Sequence, residues 1–216
     1  MPYWPGAGYG PFRYETINVF ERDDKAAGVF EMPEHMGTHV DAPNHFVASP
    51  VSVDRLPLDV LIRPAAVLDN VARGDNSPPL LEPDAVAAWE ARHGRVPQGS
   101  IVLVRSGWGA RWDNPDRYRN DSRGTMRFPA ISEAAARLLV RERGVVGIGV
   151  DTLSADDGAA PASPCHRVVH GAGGFILENL ANLEELPEDG AFVLVAPLPI
   201  AGGTGAPARV LAFCNP

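Results

Sequence analysis

The chain reads as an α+β domain, α/β-like in places, with a mixed β-sheet core and a few packed helices. Three features predict it. Seven short β-branched or apolar runs recur along the 216 residues. Only two segments between them carry both helix start and helix stop signals. The 22 Gly and 21 Pro residues are scattered between these runs, so they mark turns and do not gather into a linker. With no internal repeat or low-complexity tract, one domain spanning residues 1–216 is expected.

The expected strands are ETINVFE (15–21), AGVFEM (27–32), AAVLDNV (65–71), IVLVRS (101–106), VVGIGVD (145–151), AFVLVAPL (191–198) and ARVLAF (208–213). Several are almost continuously apolar, which suits strands covered on both faces. The segment PDAVAAWEARHG (83–94) opens with Pro83, stops at Gly94 and places His93 in its last turn. The segment SEAAARLLVRERG (132–144) has Ser132 as N-cap and Gly144 as its stop, and a regular helix would align Ala135, Leu138, Leu139 and the stem of Glu142. A short helix is expected through ENLANLEEL (178–186).

Composition excludes several classes of protein. A net charge of −8 repels nucleic acid and anionic membrane surfaces. No run approaches the roughly 20 apolar residues of a membrane span. Two cysteines, Cys165 and Cys214, make no disulfide framework and suit a reducing compartment. The opening residues MPYWPGAGYGPFRYE lack the basic start and apolar centre of a signal peptide. The expectation is a cytoplasmic protein without nucleic-acid or membrane partners.

Three of the six histidines fall within HMGTHVDAPNH (35–45). His35, His39, Asp41 and His45 share one face if the segment is extended, but four extended residues span about 13 Å, too far for His35 and His39 to reach one ion. Gly37, Thr38 and Pro43 oppose a regular helix. A bend at Gly37 resolves this: glycine tolerates positive φ, and His39 and Asp41 then chelate from a short extended piece. Imidazole and carboxylate form the ligand set of borderline divalent metals, and three protein ligands leave room for water and substrate. The alternative is a histidine-rich surface loop with no role. His45 reads as a further ligand, a proton carrier or a loop residue; its place beyond Pro43 favours the proton role.

The same eleven residues resemble the H-x-G-T-H-x-D-x-P-x-H signature of the cyclase-like metal-dependent hydrolases, which include bacterial kynurenine formamidases and isatin hydrolases. PYWPG (2–6), GIGVDTLSAD (147–156) and CHRVVHGAGGFILENLANL (165–183) resemble further stretches of that family, so the similarity spans nearly the whole chain. It implies a swivelling β/β/α fold, with His35, His39 and Asp41 on a first ion and Asp41, His166 and Glu178 on a second. It implies His45 as acid/base, Trp4 stacked on an aromatic substrate, zinc or manganese at one or two ions per subunit, and a homodimer or homotetramer. The family's Asp-Leu-Ser strand ahead of the aromatic turn has no counterpart here, which puts the sheet edge in question.

Other candidates have plain alternatives. Thr38, Asp151 and Ser154 are candidates to orient a ligating imidazole, although Asp151 and Ser154 equally suit a strand-end turn. Cys165 beside His166 makes a poor nucleophile pair, because neighbours in an extended chain diverge. Glu178 alone could be a helix start, and His170 reads as a loop residue. AGGTGAP (201–207) lacks the Lys-Ser/Thr of a phosphate loop and reads as a turn near the pocket. GWGARWDNPDRY (107–118) reads as a packed aromatic loop, a lid or a subunit contact. The expected activity is hydrolysis of a C–N bond in a small aromatic amide, an aryl formamide or a cyclic amide such as an isatin. A metal-dependent cyclase or dehydratase and a non-catalytic metal-binding module are the alternatives.

Overall fold

The structure is a computed structural model that describes residues 2–4, 9–71 and 78–214. Two strands, β1 (Arg13–Asn18) and β2 (Ala27–Glu31), form a separate antiparallel ribbon. The main sheet is made of β3 (His39–Asp41), β4 (Ile62–Asp69), β5 (Ile101–Arg105), β6 (Gly147–Val150), β7 (Phe175–Glu178), β8 (Ala191–Pro197) and β9 (Gly205–Phe213). They close into a seven-stranded barrel in the order β6-β7-β3-β9-β8-β4-β5. The mixed sheet expected from sequence is present, and its closure leaves the barrel itself without an open edge.

Pairings β4–β5, β5–β6 and β6–β7 are parallel and all others in the barrel are antiparallel. A parallel pair requires a long crossover, and each one here contains a helix. These are α1 (Pro83–His93), α2 (Glu133–Arg137) and α3 (Pro164–Gly171).

Period-two alternation splits the apolar strands between two cores. Ala65, Val67, Ile101, Leu103, Phe175, Leu177, Val193 and Ala206 come from strands all round the barrel and fill its interior. Their neighbours Ala66, Leu68, Val102, Val104, Ile148, Val150 and Ile176 face outward and pack with Trp89, Ala135, Leu139 and Val169 of the helical layer. This explains why these runs look continuously apolar: both faces are covered.

Three local departures from the sequence expectations have physical causes. The run at 15–21 leaves β1 after Asn18 because Phe20–Asp23 forms one helical turn, with Asp23 accepting the Val19 N–H at 3.0 Å. Ser132 does cap its helix, accepting the Ala135 N–H at 3.1 Å, but the helix widens into a π turn over Leu138–Glu142. That turn brings Ala136 and Val140 inward beside Ala135 and Leu139 and leaves Glu142 exposed. The expected helix at 178–186 shrinks to a 3₁₀ turn, Leu183–Glu185, because Glu178 ends β7 and Asn179 and Asn182 adopt φ of 55° and 60°. The aromatic loop is a packed one: Trp108 and Tyr118 are buried with Met126, Phe128 and Leu153.

Gly149 sits where the barrel interior has no room for a side chain. A Cβ there would lie 2.7 Å from Leu180 Cδ1 and 2.8 Å from Leu103 Cδ2. Overpacking of this kind costs about 1–3 kcal/mol, so Gly149→Ala is expected to lower the thermal midpoint by several degrees in differential scanning calorimetry. An unchanged midpoint would show that the interior has slack.

Candidate metal centre

Strand alternation places the histidine motif on the outer wall of the barrel. Val40 and Leu177 point into the interior, so His39, Asp41 and Glu178 point outward, and Glu178 pairs directly with His39 across β7 and β3. Gly37, at φ 65°, makes the expected bend and brings His35 back over the start of β3. Pro43–His45 forms a 3₁₀ turn that carries His45 to the same place. Helix α3 covers the assembly from outside and contributes His166 and His170.

Asp41 is the centre of the cluster. Its Oδ1 lies 2.6 Å from His35 Nδ1 and 3.1 Å from His39 Nε2, and its Oδ2 lies 3.2 Å from His166 Nε2. Glu178 adds Oε1 at 3.1 Å from His166 Nε2 and Oε2 at 3.6 Å from His39 Nε2. Two triads, His35–His39–Asp41 and Asp41–His166–Glu178, each bring three ligand atoms within 4.8 Å of one another. His39, Asp41, His166 and Glu178 are all buried.

The outer partners determine what these rings present inward. His39 Nδ1 faces the Gly37 carbonyl at 2.9 Å, which only accepts. His166 Nδ1 faces Asp156 Oδ2 at 2.6 Å, also an acceptor. His35 Nε2 faces the Thr204 hydroxyl at 2.9 Å, and that hydroxyl donates its proton to Glu34 at 2.6 Å. Each outer nitrogen is therefore a donor, and each inner nitrogen turns a lone pair toward carboxylate oxygens. Acceptors facing acceptors need a positive charge between them. His39 Nε2 correspondingly is buried without a hydrogen-bond partner among the described residues.

Protons answer this demand in part. Burial opposes a charge on His39, but Asp41 and Glu178 override it and push the ring up to about 9. Burial likewise opposes a charge on His166, yet Asp156, Asp41 and Glu178 hold its pKa well above the usual value. Burial would raise Asp41, but His39, His166 and His35 hold its carboxyl well below the usual range. A divalent cation answers the same demand by displacing those protons, and the donor set fits zinc or manganese.

His45 behaves differently. Its half-buried ring stacks on His35 with centroids 3.9 Å apart, and Phe46 meets it edge-on at 4.5 Å. Burial pushes its pKa down to about 4, helped by the imidazoles of His35, His166 and His39 and opposed by Asp41. At neutral pH it is a free base.

Other expectations fall elsewhere. Asp151 does not orient an imidazole: it accepts from the Ser106 hydroxyl at 2.5 Å and from the Trp108 N–H at 3.1 Å, anchoring the aromatic loop. Ser154 supports the centre one step removed, through the Asp156 N–H at 3.2 Å. Thr38 donates to the Asn179 carbonyl at 2.7 Å and so ties the motif to the end of β7. Tyr3 bridges to Met36, which brings Trp4 alongside the motif, edge-on to Phe128 at 6.4 Å. Pro5 and Gly6 of the aromatic turn lie outside the described residues. Cys165 is buried at the start of α3, where burial and Asp156 raise its thiol, so it is no nucleophile.

Sequence reasoning missed five contributors. Asp156 is the carboxylate that orients His166, and Thr204 with Glu34 holds His35. Phe46 covers His166 with ring centroids 4.4 Å apart. His170 is no loop residue: it is buried within α3, its ring 6.3 Å from His45, with neither nitrogen bonded among the described residues. The only signal for Thr204 was its glycine-rich setting. Gly205 explains that setting, since a Cβ there would lie 2.5 Å from His35 Cε1 and 2.7 Å from the Val40 carbonyl.

Two outcomes are expected. Adding Zn²⁺ or Mn²⁺ to chelator-treated protein raises the thermal midpoint by mass action, about 2.7 kcal/mol of stabilisation at a free-ion concentration 100 times the Kd, and His39→Ala abolishes that rise. Gly205→Ala, by displacing His35, weakens metal affinity roughly 10–100-fold in a competition titration, the usual cost of disturbing a ligand's support. An unchanged affinity would separate His35 from the centre.

The Cyclase family model matches residues 1–157. Isatin hydrolase of Roseibium aggregatum is 36% identical over 189 residues, 83% of this chain and 72% of that protein. Kynurenine formamidase of Paracidovorax citrulli is 32% identical over 181 residues, 83% of this chain and 76% of its own length. A crystal structure of an isatin hydrolase bound to the product analogue thioisatinate superposes with a TM-score of 0.91 at 31% identity, covering 98% of this chain and 86% of that one. The chain belongs to the Cyclase family.

Proposed function

We propose that this chain is a metal-dependent hydrolase that opens the C–N bond of a small aromatic amide, either a cyclic amide of the isatin type or an N-formyl arylamine. One observation supports it above the rest: three imidazoles turn inward lone pairs onto two buried carboxylates, with a fourth, uncharged imidazole beside them. The names of the relatives, an isatin hydrolase and a kynurenine formamidase, favour the two amide classes.

His35, His39 and Asp41 hold a first cation, and Asp41, His166 and Glu178 hold a second where two bind. The cation is zinc or manganese, and when bound it supplies the Lewis acidity that polarises an amide carbonyl and acidifies water. His45 accepts the proton of the attacking water at a ring nitrogen, which its depressed pKa leaves free at pH 7. It then returns that proton to the departing nitrogen, which would otherwise leave as a strongly basic anion. The stack on His35 and the edge of Phe46 keep the ring in place. Trp4, held beside the motif by the Tyr3–Met36 bridge, offers an aromatic face to the substrate ring. The 216 residues act as one hydrolase domain, in a cytoplasmic homodimer or homotetramer; in the described residues, no helix is long and apolar enough to cross a membrane.

The test is a paired assay on isatin, N-formylaniline and an aliphatic amide. Wild type turns over at least one aromatic amide and not the aliphatic one. His45→Ala keeps its metal by elemental analysis and loses roughly 10²–10⁴ in kcat. A His45→Ala variant with wild-type turnover would remove His45 from the mechanism.

A further inference from the structure

We infer that Asn179 is a positioning residue of the metal centre: its side chain clamps the Gly37 carbonyl, and that carbonyl selects which nitrogen of His39 faces the cation. The inference rests on the reading of His39 as a metal ligand.

Asn179 follows Glu178 at the end of β7 and is buried. Its backbone lies in the left-handed region, φ 55°, which asparagine adopts more readily than most residues. The Thr152 carbonyl accepts its N–H at 2.9 Å and holds it there. From that position Asn179 meets the histidine motif twice. Its Nδ2 donates to the Gly37 carbonyl at 3.0 Å, and its own carbonyl accepts the Thr38 hydroxyl at 2.7 Å. The two bonds grip either side of the peptide between Gly37 and Thr38.

That peptide needs holding. Gly37 has no side chain to anchor it, and a φ of 65° is one of several basins open to glycine. Its carbonyl also accepts the His39 Nδ1–H at 2.9 Å, so two donors use both lone pairs of one oxygen. If the peptide turned over, an N–H would face Nδ1 in place of the carbonyl. His39 would then take the tautomer that protonates Nε2, the nitrogen directed at Asp41 and Glu178. The clamp on Gly37 therefore keeps a lone pair on Nε2.

The clamp is itself oriented from behind. The Gly37 carbonyl only accepts, so the amide nitrogen faces it and Oδ1 faces the Tyr118 hydroxyl at 3.0 Å. Tyr118 is fully buried and shares its hydroxyl proton between Oδ1 and the Asp151 carbonyl at 2.9 Å. Trp108 Nε1 donates to the Tyr118 carbonyl at 2.8 Å. The packed aromatic loop is thus the fixed end of a chain of contacts that runs Tyr118, Asn179, Gly37, His39. Both polar atoms of the buried amide are committed to this one chain.

The experiment is a zinc competition titration on the full chain, comparing wild type with Asn179→Gly, Asn179→Asp and Tyr118→Phe. Glycine keeps the left-handed backbone and removes the clamp. Aspartate keeps the shape and sets an acceptor against the Gly37 carbonyl. The expected result is a zinc affinity about 10–100-fold weaker for both. Tyr118→Phe should show a smaller loss that vanishes in the Asn179→Gly background, where the amide it orients is gone. A merely structural asparagine would lower the thermal midpoint of the chelated protein and leave the affinity of the folded state unchanged. Proton NMR of the zinc-loaded protein supplies a second readout: the His39 Nδ1–H should exchange with solvent faster in Asn179→Gly and in Tyr118→Phe than in wild type. Asn179 variants that bind zinc as tightly as wild type overturn the clamp and leave the metal centre standing. Should neither Asn179 variant fold, Tyr118→Phe with wild-type affinity and wild-type exchange overturns it equally. A wild type that binds no zinc overturns both the clamp and the reading of His39 beneath it.

Discussion

The barrel wall, helix α3 and the loop at 201–205 meet around the carboxylate of Asp41, and the energetics of that buried charge set the terms for the rest. Three nitrogens point at Asp41, and their far sides are pinned by Gly37, Asp156 and the Thr204–Glu34 pair. Burying charges away from water costs several kcal/mol for each ion after relaxation, and only close opposite charge repays it. A second carboxylate, Glu178, doubles the demand. Protons on His39 and His166 meet part of it, and a divalent cation held by these residues would meet the rest.

The fold delivers these groups through the direction of its strands. Inward positions of β3 and β7 are Val40 and Leu177, so the barrel interior stays apolar and the chemistry lies outside, between wall and helix. Glu178 ends β7, Asp151 follows β6 and Ser106 follows β5, so the parallel strands deliver polar groups at their carboxyl ends. Open parallel sheets place ligands at that end, and the same geometry persists here although the sheet is closed. Asp151 spends its charge on the loop that carries Trp108, while Asp156, five residues on, reaches His166.

Much of this was legible in the sequence, and the remainder has identifiable reasons. The long apolar strands announce themselves by β-branched composition, and α1 by Pro83 and Gly94. The bend at Gly37 and the extended pair His39–Asp41 follow from the reach of an extended chain. Strand β7 escaped notice because it is only four residues long and ends in a charged ligand, which breaks the apolar pattern. Asp156 was hidden because Asp151 stood closer to the visible strand, and sequence does not say which carboxylate a helix will approach. His170 looked like a loop residue because Gly171, Gly173 and Gly174 follow it, and helix α3 runs right up to that cluster. The Thr204 contact joins residues 169 positions apart, and no local pattern encodes such a distance.

The inward nitrogens and the two buried carboxylates call for a cation between them. Anomalous difference maps from crystals grown with Zn²⁺ or Mn²⁺ measure this directly. The account predicts a peak bonded to His39 Nε2 and Asp41, at about 2.0–2.2 Å for zinc, with at least one coordination position left to solvent. Crystals that show protonated, mutually hydrogen-bonded side chains and no anomalous peak at saturating metal would contradict it.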